Sequence, residues 1–165
     1  LYVARCDVQA SVRSAASTVW KSLVSNAPRT LRVILRSLTE QLIDGLSSED
    51  EDTQQSAAHA LGELVAKLSE RVLPKLMPIL QAGLDDESVP RRRGVCLGLA
   101  ELMAAAGRET VVAFLPEVIP SVRSGLCDPD ESVREAAAKA FSTLQRLIGA
   151  QAITEIVPAL LQLEC

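Results

Sequence analysis

DPDESVREAAAKAFSTL, at positions 128–144, aligns without a gap with DVQASVRSAASTVWKSL, at positions 7–23, which begins 121 residues earlier. Two further copies lie between them, SEDEDTQQSAAHALGEL at 48–64 and DESVPRRRGVCLGLAEL at 86–102. One column holds Val12, Thr53, Arg91 and Val133, so the copies follow at steps of 41, 38 and 42 residues. Self-similarity at such a period indicates an array of repeated units, each of which buries its apolar face against its neighbours.

The segments between these copies supply a second helix for each unit. Apolar residues recur in them at spacings of three and four, as in an amphipathic helix. The segments are LRVILRSLTEQLIDGL (31–46), VLPKLMPILQAGL (72–84), VVAFLPEVIPSVRSGL (111–126) and AITEIVPALLQL (152–163). Prolines recur within them at 74, 78, 116, 120 and 158. Because a proline inside a helix kinks it, we expect these prolines to shape a bend in each first helix.

A period of about 40 residues is typical of HEAT and armadillo arrays. We therefore predict an all-α fold, a right-handed HEAT-repeat α-solenoid of about four units and eight helices that spans residues 1–165. The predicted second helices lie near 9–26, 51–68, 90–106 and 130–148, and the predicted first helices near 31–46, 72–84, 110–126 and 150–163. Since the chain starts on a second helix and ends on a first helix, we expect a fragment of a longer array.

Acidic turns precede the second helices and are expected to cap them. An aspartate and an arginine stand six residues apart in three units, as in the HEAT pattern: Asp7 and Arg13, Asp86 and Arg92, Asp128 and Arg134. The second unit departs from this pattern, because Ser48 and Gln54 occupy those columns.

The composition favours a helical, water-soluble protein. Apolar residues make up 48% of the 165 residues but aromatic residues only 2%, which favours helices over strands. A formal net charge of -4 and a pI near 5.1 argue against a broad surface for nucleic acid or anionic membranes. No apolar run is long enough to span a bilayer, and no signal peptide is recognisable. We expect a cytoplasmic protein with no membrane partner.

Candidate residues for catalysis or metal binding are few. The four cysteines, at positions 6, 96, 127 and 165, have spacings that fit neither a disulfide framework nor a zinc site. His59 is the only histidine, and no nucleophile can be paired with it. The DPDES turn lacks the glycine and glutamate of a calcium loop. We therefore expect no enzyme activity, no cofactor and no metal.

Three consecutive arginines, Arg91, Arg92 and Arg93, form the densest positive charge in this acidic chain. Arg92 falls in the arginine column of the repeat, so it is expected to pair with its own acidic turn at Asp85, Asp86 or Glu87. Arg91 and Arg93 have no basic equivalent in the other units. Because guanidinium groups bind carboxylates and phosphates through several donors, these arginines are candidate partner-binding residues.

Four strings carry a more specific resemblance. They are VWKSLVSNAPRTLRVILRSL (19–38), LGELVAKLSERVLPKLMPIL (61–80), RRRGVCLGLAELM (91–103) and LCDPDESVREAAAKAF (126–141). Together they resemble the C-terminal HEAT region of the general-control translational activator family, the ribosome-associated activators of the initiation factor 2 alpha kinase. The family's string near one helix start reads approximately E-R-Q-G-V-C, and its arginine, which is implicated in kinase binding, corresponds to Arg92. Arg91 and Arg93 replace the family's glutamate and glutamine.

The resemblance implies a non-catalytic scaffold that docks the RWD domain of the kinase and helps to activate it during amino-acid starvation and ribosome stalling. The ribosome would be bound through the wider protein. One alternative is direct contact of Arg91, Arg92 and Arg93 with ribosomal RNA, which the acidic pI disfavours. The other is a generic HEAT-repeat scaffold for protein interactions that is unrelated to translation.

Overall fold

The computed structural model of the chain describes residues 1–68, 72–150 and 154. This part of the chain contains one short 3-10 helix at Val3–Cys6, seven α-helices and no strand. The α-helices are α1 (Ala10–Leu23), α2 (Ala27–Leu46), α3 (Glu51–Leu68), α4 (Leu73–Leu84), α5 (Val89–Ala113), α6 (Leu115–Leu126) and α7 (Glu131–Ile148). Among successive helices, α2 packs on α3, α4 on α5, α5 on α6, and α6 on α7.

The helices are arranged in two layers. Helix α4 contacts α2 and α6 in a first-helix layer, and α5 contacts α3 and α7 in a second-helix layer. The two layers meet where α2 packs on α3, α4 on α5, and α6 on α7. This arrangement confirms the all-α solenoid predicted from the repeat. The predicted eighth helix, at 150–163, lies outside the described residues except at Ala150 and Thr154.

Local capping moves two boundaries away from the sequence prediction. Helix α1 ends at Leu23 instead of near 26, because Val24 has the extended angles φ -113° and ψ 99°. Helix α2 begins at Ala27, four residues before the predicted start at 31. The side chain of Asn26 accepts a hydrogen bond from the backbone N–H of Arg29 at 3.0 Å, which is the geometry of an N-cap.

The predicted first helix at 110–126 is divided in the structure. Gly107 has φ 77° and ψ 171°, a left-handed conformation that favours glycine, and it separates two helical stretches of α5. Helical structure then continues to Ala113, and a turn at Phe114 leads into α6. The second stretch of α5 therefore contains residues that the sequence assigned to the next helix.

The recurring prolines occupy two different kinds of position. Pro74 and Pro116 lie in the first turn of α4 and α6, where a proline leaves no helical hydrogen bond unmade. Pro78 and Pro120 lie inside the same helices. The expectation that every proline shapes a bend from the helix interior is thus wrong for Pro74 and Pro116. Pro158 lies outside the described residues.

The core is aliphatic and runs continuously from one unit to the next. Its largest fully buried side chains come from α2 to α5 and are mainly leucines: Leu31, Leu42, Ile43, Leu46, Leu64, Leu73, Leu76, Met77, Leu80, Leu99, Leu102 and Met103. None of the described helices is long and apolar enough to cross a membrane.

Close contact between α5 and the end of α2 depends on Gly94. A Cβ atom at this position would lie 2.7 Å from the carbonyl oxygen of Ile43 and 2.9 Å from the Cβ atom of Ser47. Glycine therefore lets the start of α5 reach the turn of the preceding unit. This approach brings the three arginines of α5 next to that turn.

We expect Gly94→Ala to lower the free energy of unfolding by about 1–3 kcal/mol, because the added methyl group would displace backbone atoms of α2. Urea unfolding followed by circular dichroism measures this loss. Gly62→Ala is the matched control, since its Cβ atom would lie 4.0 Å from the nearest heavy atom, the Cβ of Ala105. This control should leave stability unchanged or raise it by up to about 1 kcal/mol, and an equal loss at both glycines would contradict the packing argument.

Candidate partner-binding site at the arginine cluster

The arginine column of the repeat binds backbone carbonyl groups of the acidic turns. In three units the Nη1 atom donates to two successive carbonyl oxygens of its own turn. The pairs are Arg13 to Asp7 and Val8 (both 2.8 Å), Arg92 to Asp86 (2.9 Å) and Glu87 (3.1 Å), and Arg134 to Asp128 and Pro129 (both 2.8 Å). In the second unit, the amide nitrogen of Gln54 donates to Leu46 at 2.9 Å. The column therefore has a structural role in every unit.

The residue in the aspartate column of the repeat also stabilises each turn. A side-chain oxygen accepts a hydrogen bond from the backbone N–H two residues later, at 2.8 to 3.1 Å. The acceptors are Asp7, Ser48, Asp86 and Asp128. Ser48 can replace aspartate in this turn because the bond requires only an oxygen acceptor.

Arg92 also connects the third unit to the fourth. Its Nε donates to Oδ2 of Asp128 at 2.7 Å, and its Nη2 donates to Oδ1 at 3.1 Å, which makes a bidentate pair. The Arg92 and Asp128 side chains are only 13% and 8% exposed. We call this pair the interunit clasp. The expected carboxylate partners in the turn of Arg92 itself were wrong: Asp86 and Glu87 provide carbonyl oxygens, and the carboxylate comes from the next unit.

The clasp perturbs the pKa of both groups. Hydrogen bonds from Arg92 lower the pKa of Asp128, and the same hydrogen bonds raise the pKa of Arg92. Each shift favours the charged form, so both groups stay ionised at neutral pH. A partner protein that approached Arg92 would find its guanidinium already occupied.

Arg91 points toward the first-helix layer. Its Nη1 lies 2.7 Å from Oδ1 of Asp44 near the end of α2, and its Nε lies 3.2 Å from Oδ2 of Asp86. With Arg36 and Pro78, it lines a cleft of about 420 Å³ between α2 and α4. Its side chain remains 29% exposed, which is more than that of Arg92.

Arg93 points toward the second-helix layer. Its Nη2 donates to the carbonyl oxygens of Ser47 at 2.9 Å and Ser48 at 3.3 Å, in the turn that precedes α3. Its Nε is buried and has no hydrogen-bond partner in the described part of the chain. Arg93 thus holds the second unit to the third.

The three arginines therefore do not form one patch. Consecutive helical residues are rotated by about 100° from each other, so three neighbouring side chains leave a helix in three directions. Arg91 and Arg93 both contact the second unit. In that unit the arginine column holds Gln54, which has no guanidinium group and cannot form a bidentate pair with a carboxylate of the third unit. Sequence reasoning missed this second connection, although the glutamine in the arginine column was a visible signal.

Among the other candidates for chemistry, Cys96 is buried near the interunit clasp. His59 is exposed on α3. Burial raises the pKa of Cys96 to about 12 and that of Cys6 to about 11, so both thiols are protonated at neutral pH. Among the described residues, no group of three or more His, Cys, Asp or Glu side chains could hold a metal ion. Cys165 lies outside the described residues.

We expect Asp128→Asn to destabilise the chain by about 1–3 kcal/mol at pH 7, because Arg92 would lose its charged acceptor while the turn kept an oxygen. The folded pKa of Asp128 lies below its unfolded value of about 3.9. The stabilisation is therefore complete above that unfolded value and is lost as the pH falls through the folded pKa. Melting temperatures measured between pH 7 and pH 3 should show the difference from the parent chain shrinking below about pH 4.

Asp7→Asn is the control for this experiment. Asp7 closes the equivalent turn by accepting from the N–H of Gln9 at 2.8 Å, and no side chain in the described residues donates to its carboxylate. Its substitution should change the melting temperature little at any of these pH values. A pH-independent gap for Asp128→Asn would show that the clasp does not stabilise the fold through its charge.

The comparisons with known proteins agree with this repeat geometry. The family described as "Stalled ribosome sensor GCN1, HEAT repeats" matches residues 1–163. The human protein named stalled ribosome sensor GCN1 is 48% identical over 162 residues, which cover 98% of this chain and 6% of that protein. The Dictyostelium discoideum protein named eIF-2-alpha kinase activator GCN1 is 44% identical over 163 residues, with 99% and 6% covered.

Among solved structures, a designed armadillo repeat protein gives a TM-score of 0.46 at 17% identity, covering 96% of this chain and 68% of that one. The chain spans about 6% of the length of each of these two GCN1 proteins. Its match to the family nevertheless extends over nearly all of its residues. This chain belongs to the GCN1 HEAT-repeat family.

Proposed function

We propose that this chain is a non-catalytic docking segment for the RWD domain of the initiation factor 2 alpha kinase. Through this docking it helps to activate the kinase during amino-acid starvation and ribosome stalling. The Dictyostelium relative is named as an activator of this kinase, and the human relative as a sensor of stalled ribosomes. The resemblance of the string around Arg92 to the kinase-binding segment of the family supports the RWD domain as the partner.

The observation that carries this proposal is the corner at the start of α5, where three arginines contact the neighbouring units. Arg92 and Arg93 fix the backbone of this corner through contacts to Asp128 and to the Ser47 carbonyl group. Arg91 remains partly exposed at its edge, between two carboxylates. A cation held in one position loses little side-chain entropy on binding, which favours recognition of an acidic partner surface. A typical interface of about 800 Å² per partner would extend well beyond this corner.

We further propose that the ribosome is bound through the wider protein and not through these residues. The alternative of ribosomal RNA binding through Arg91, Arg92 and Arg93 is less favoured, because the chain is acidic overall and the three arginines point in different directions instead of forming one basic face. Phosphate binding is driven by free cations that neutralise the nucleic-acid backbone. A generic scaffold role would leave the RWD domain unbound, so a binding experiment separates it from our proposal.

We expect Arg91→Glu to weaken binding of the purified RWD domain by roughly tenfold or more, because it reverses the exposed charge of the corner. The melting temperature should fall moderately, because each partly exposed ion pair of Arg91 contributes only about 0–1 kcal/mol, although the new carboxylate would also be repelled by Asp44 and Asp86. Isothermal titration calorimetry and thermal unfolding measure the two effects. Arg92→Glu should impair both binding and stability, because it also breaks the interunit clasp.

Arg29→Glu is the matched control, because it makes the same charge change at an exposed residue of the first turn of α2, far along the helix from Asp44. It should leave RWD binding unchanged. If the parent chain does not bind the RWD domain, or if Arg91→Glu binds it as tightly as the parent does, the assignment of this corner as the docking site is rejected.

A further inference from the structure

We propose that a cavity beside Arg93 on the second-helix layer accepts one carboxylate side chain of the docking partner. This inference rests on the proposed function and specifies the face from which the partner approaches. The cavity has a volume of about 190 Å³ and crosses three second helices. Its polar lining consists of Gln54 from α3, Arg93 from α5, and Ser132, Glu135 and Lys139 from α7.

The positively charged donors of this cavity are not all used within the chain. Gln54 donates one of its two amide hydrogens to the carbonyl oxygen of Leu46, and the hydroxyl group of Ser132 donates to Oδ1 of Asp130 at 2.6 Å. The Nε of Arg93 is buried without a partner, and in the described residues neither its Nη1 nor the Nζ of Lys139 takes part in a hydrogen bond or ion pair. The Nη1 of Arg93 and the Nζ of Lys139 are therefore the charged donors that remain for an incoming acceptor.

The acceptor that fits is a single carboxylate. Arg93 and Lys139 place two positive charges in the lining, and Glu135 places one negative charge there. Glu135 does not pair with Lys139, although the two stand four residues apart on exposed positions of α7. A net charge of one favours a monoanion over a dianionic phosphate, and the small volume suits the end of one aspartate or glutamate side chain. Arg91 and Arg93 leave the start of α5 toward different layers, so a partner that contacts Arg91 and fills this cavity reaches around the start of this helix.

Lys139→Glu tests the proposal without disturbing the fold, since Lys139 is exposed and has no ion pair in the described residues. We expect it to weaken RWD binding by roughly threefold to tenfold, the effect of reversing one charge at the edge of an interface. Lys75→Glu is the matched control, because Lys75 is an exposed lysine without an ion pair on α4, in the first-helix layer. It should bind the RWD domain like the parent chain.

Glu135→Gln tests the same cavity with a substitution that should strengthen RWD binding. Removal of this carboxylate takes away the one group in the lining that repels an incoming anion. RWD binding should tighten by about twofold to fivefold, and the effect should shrink at high salt because the charges are screened. A structural role for Glu135 would not produce tighter binding.

A probe independent of the kinase separates failure of this inference from failure of the proposed function. The capped amino acid N-acetyl-glutamate amide should shift the NMR signals of the backbone amides of Leu97 and Ser132, whereas its neutral glutamine counterpart should not. If Arg91→Glu weakens RWD binding but Lys139→Glu does not, the cavity is not the acceptor and the proposed function stands. If the probe binds but the RWD domain does not, the proposed function fails. Absence of probe binding together with an unchanged Lys139→Glu overturns the inference.

Discussion

Each second helix of this solenoid follows a turn whose carbonyl oxygens have no helical partner, and the packing of the units depends on how those oxygens are satisfied. A side chain from the following helix reaches back to them in all four units, through Arg13, Gln54, Arg92 and Arg134. Backbone acceptors at the end of a helix must find donors if they are shielded from water. Because this contact positions the second helix on its turn, it also determines where the next unit can pack.

The junctions between units are held by different contacts. The third and fourth units are joined by the pair of Arg92 and Asp128. The second and third units, where Gln54 stands in the arginine column, are joined instead by Arg91 and Arg93, which extend in the reverse direction along the chain. In an array of this kind each unit contacts only its neighbours, so stability depends on the interface at each junction. The unusual run of arginines is therefore explained first by a neighbouring unit and only then by a partner protein.

The repeat makes the architecture predictable, because alignment of its four copies indicates the alternating helices and the arginine column. It could not identify the carboxylate that binds Arg92, because the pair joins residues 36 positions apart and depends on how closely α5 approaches α7. Gly107 and Asn26 shifted helix boundaries through local backbone geometry, which apolar periodicity does not report. The cavity at Arg93 and Lys139 could not be predicted from the sequence either, because it is formed by side chains from three helices that are adjacent only in the folded chain.

The geometry of Arg92 also determines which amino-acid substitutions this position can tolerate. Its three nitrogen atoms donate in two directions at once, to a turn on one side and to a carboxylate on the other. Lysine has the same charge, but the single nitrogen of its ammonium group cannot replace the three nitrogen atoms of a planar guanidinium group. Gln54, by contrast, is uncharged and still satisfies its turn through one amide group. Within this column, formal charge is therefore a poor measure of similarity, and the shape of the donor group decides which amino acids are interchangeable.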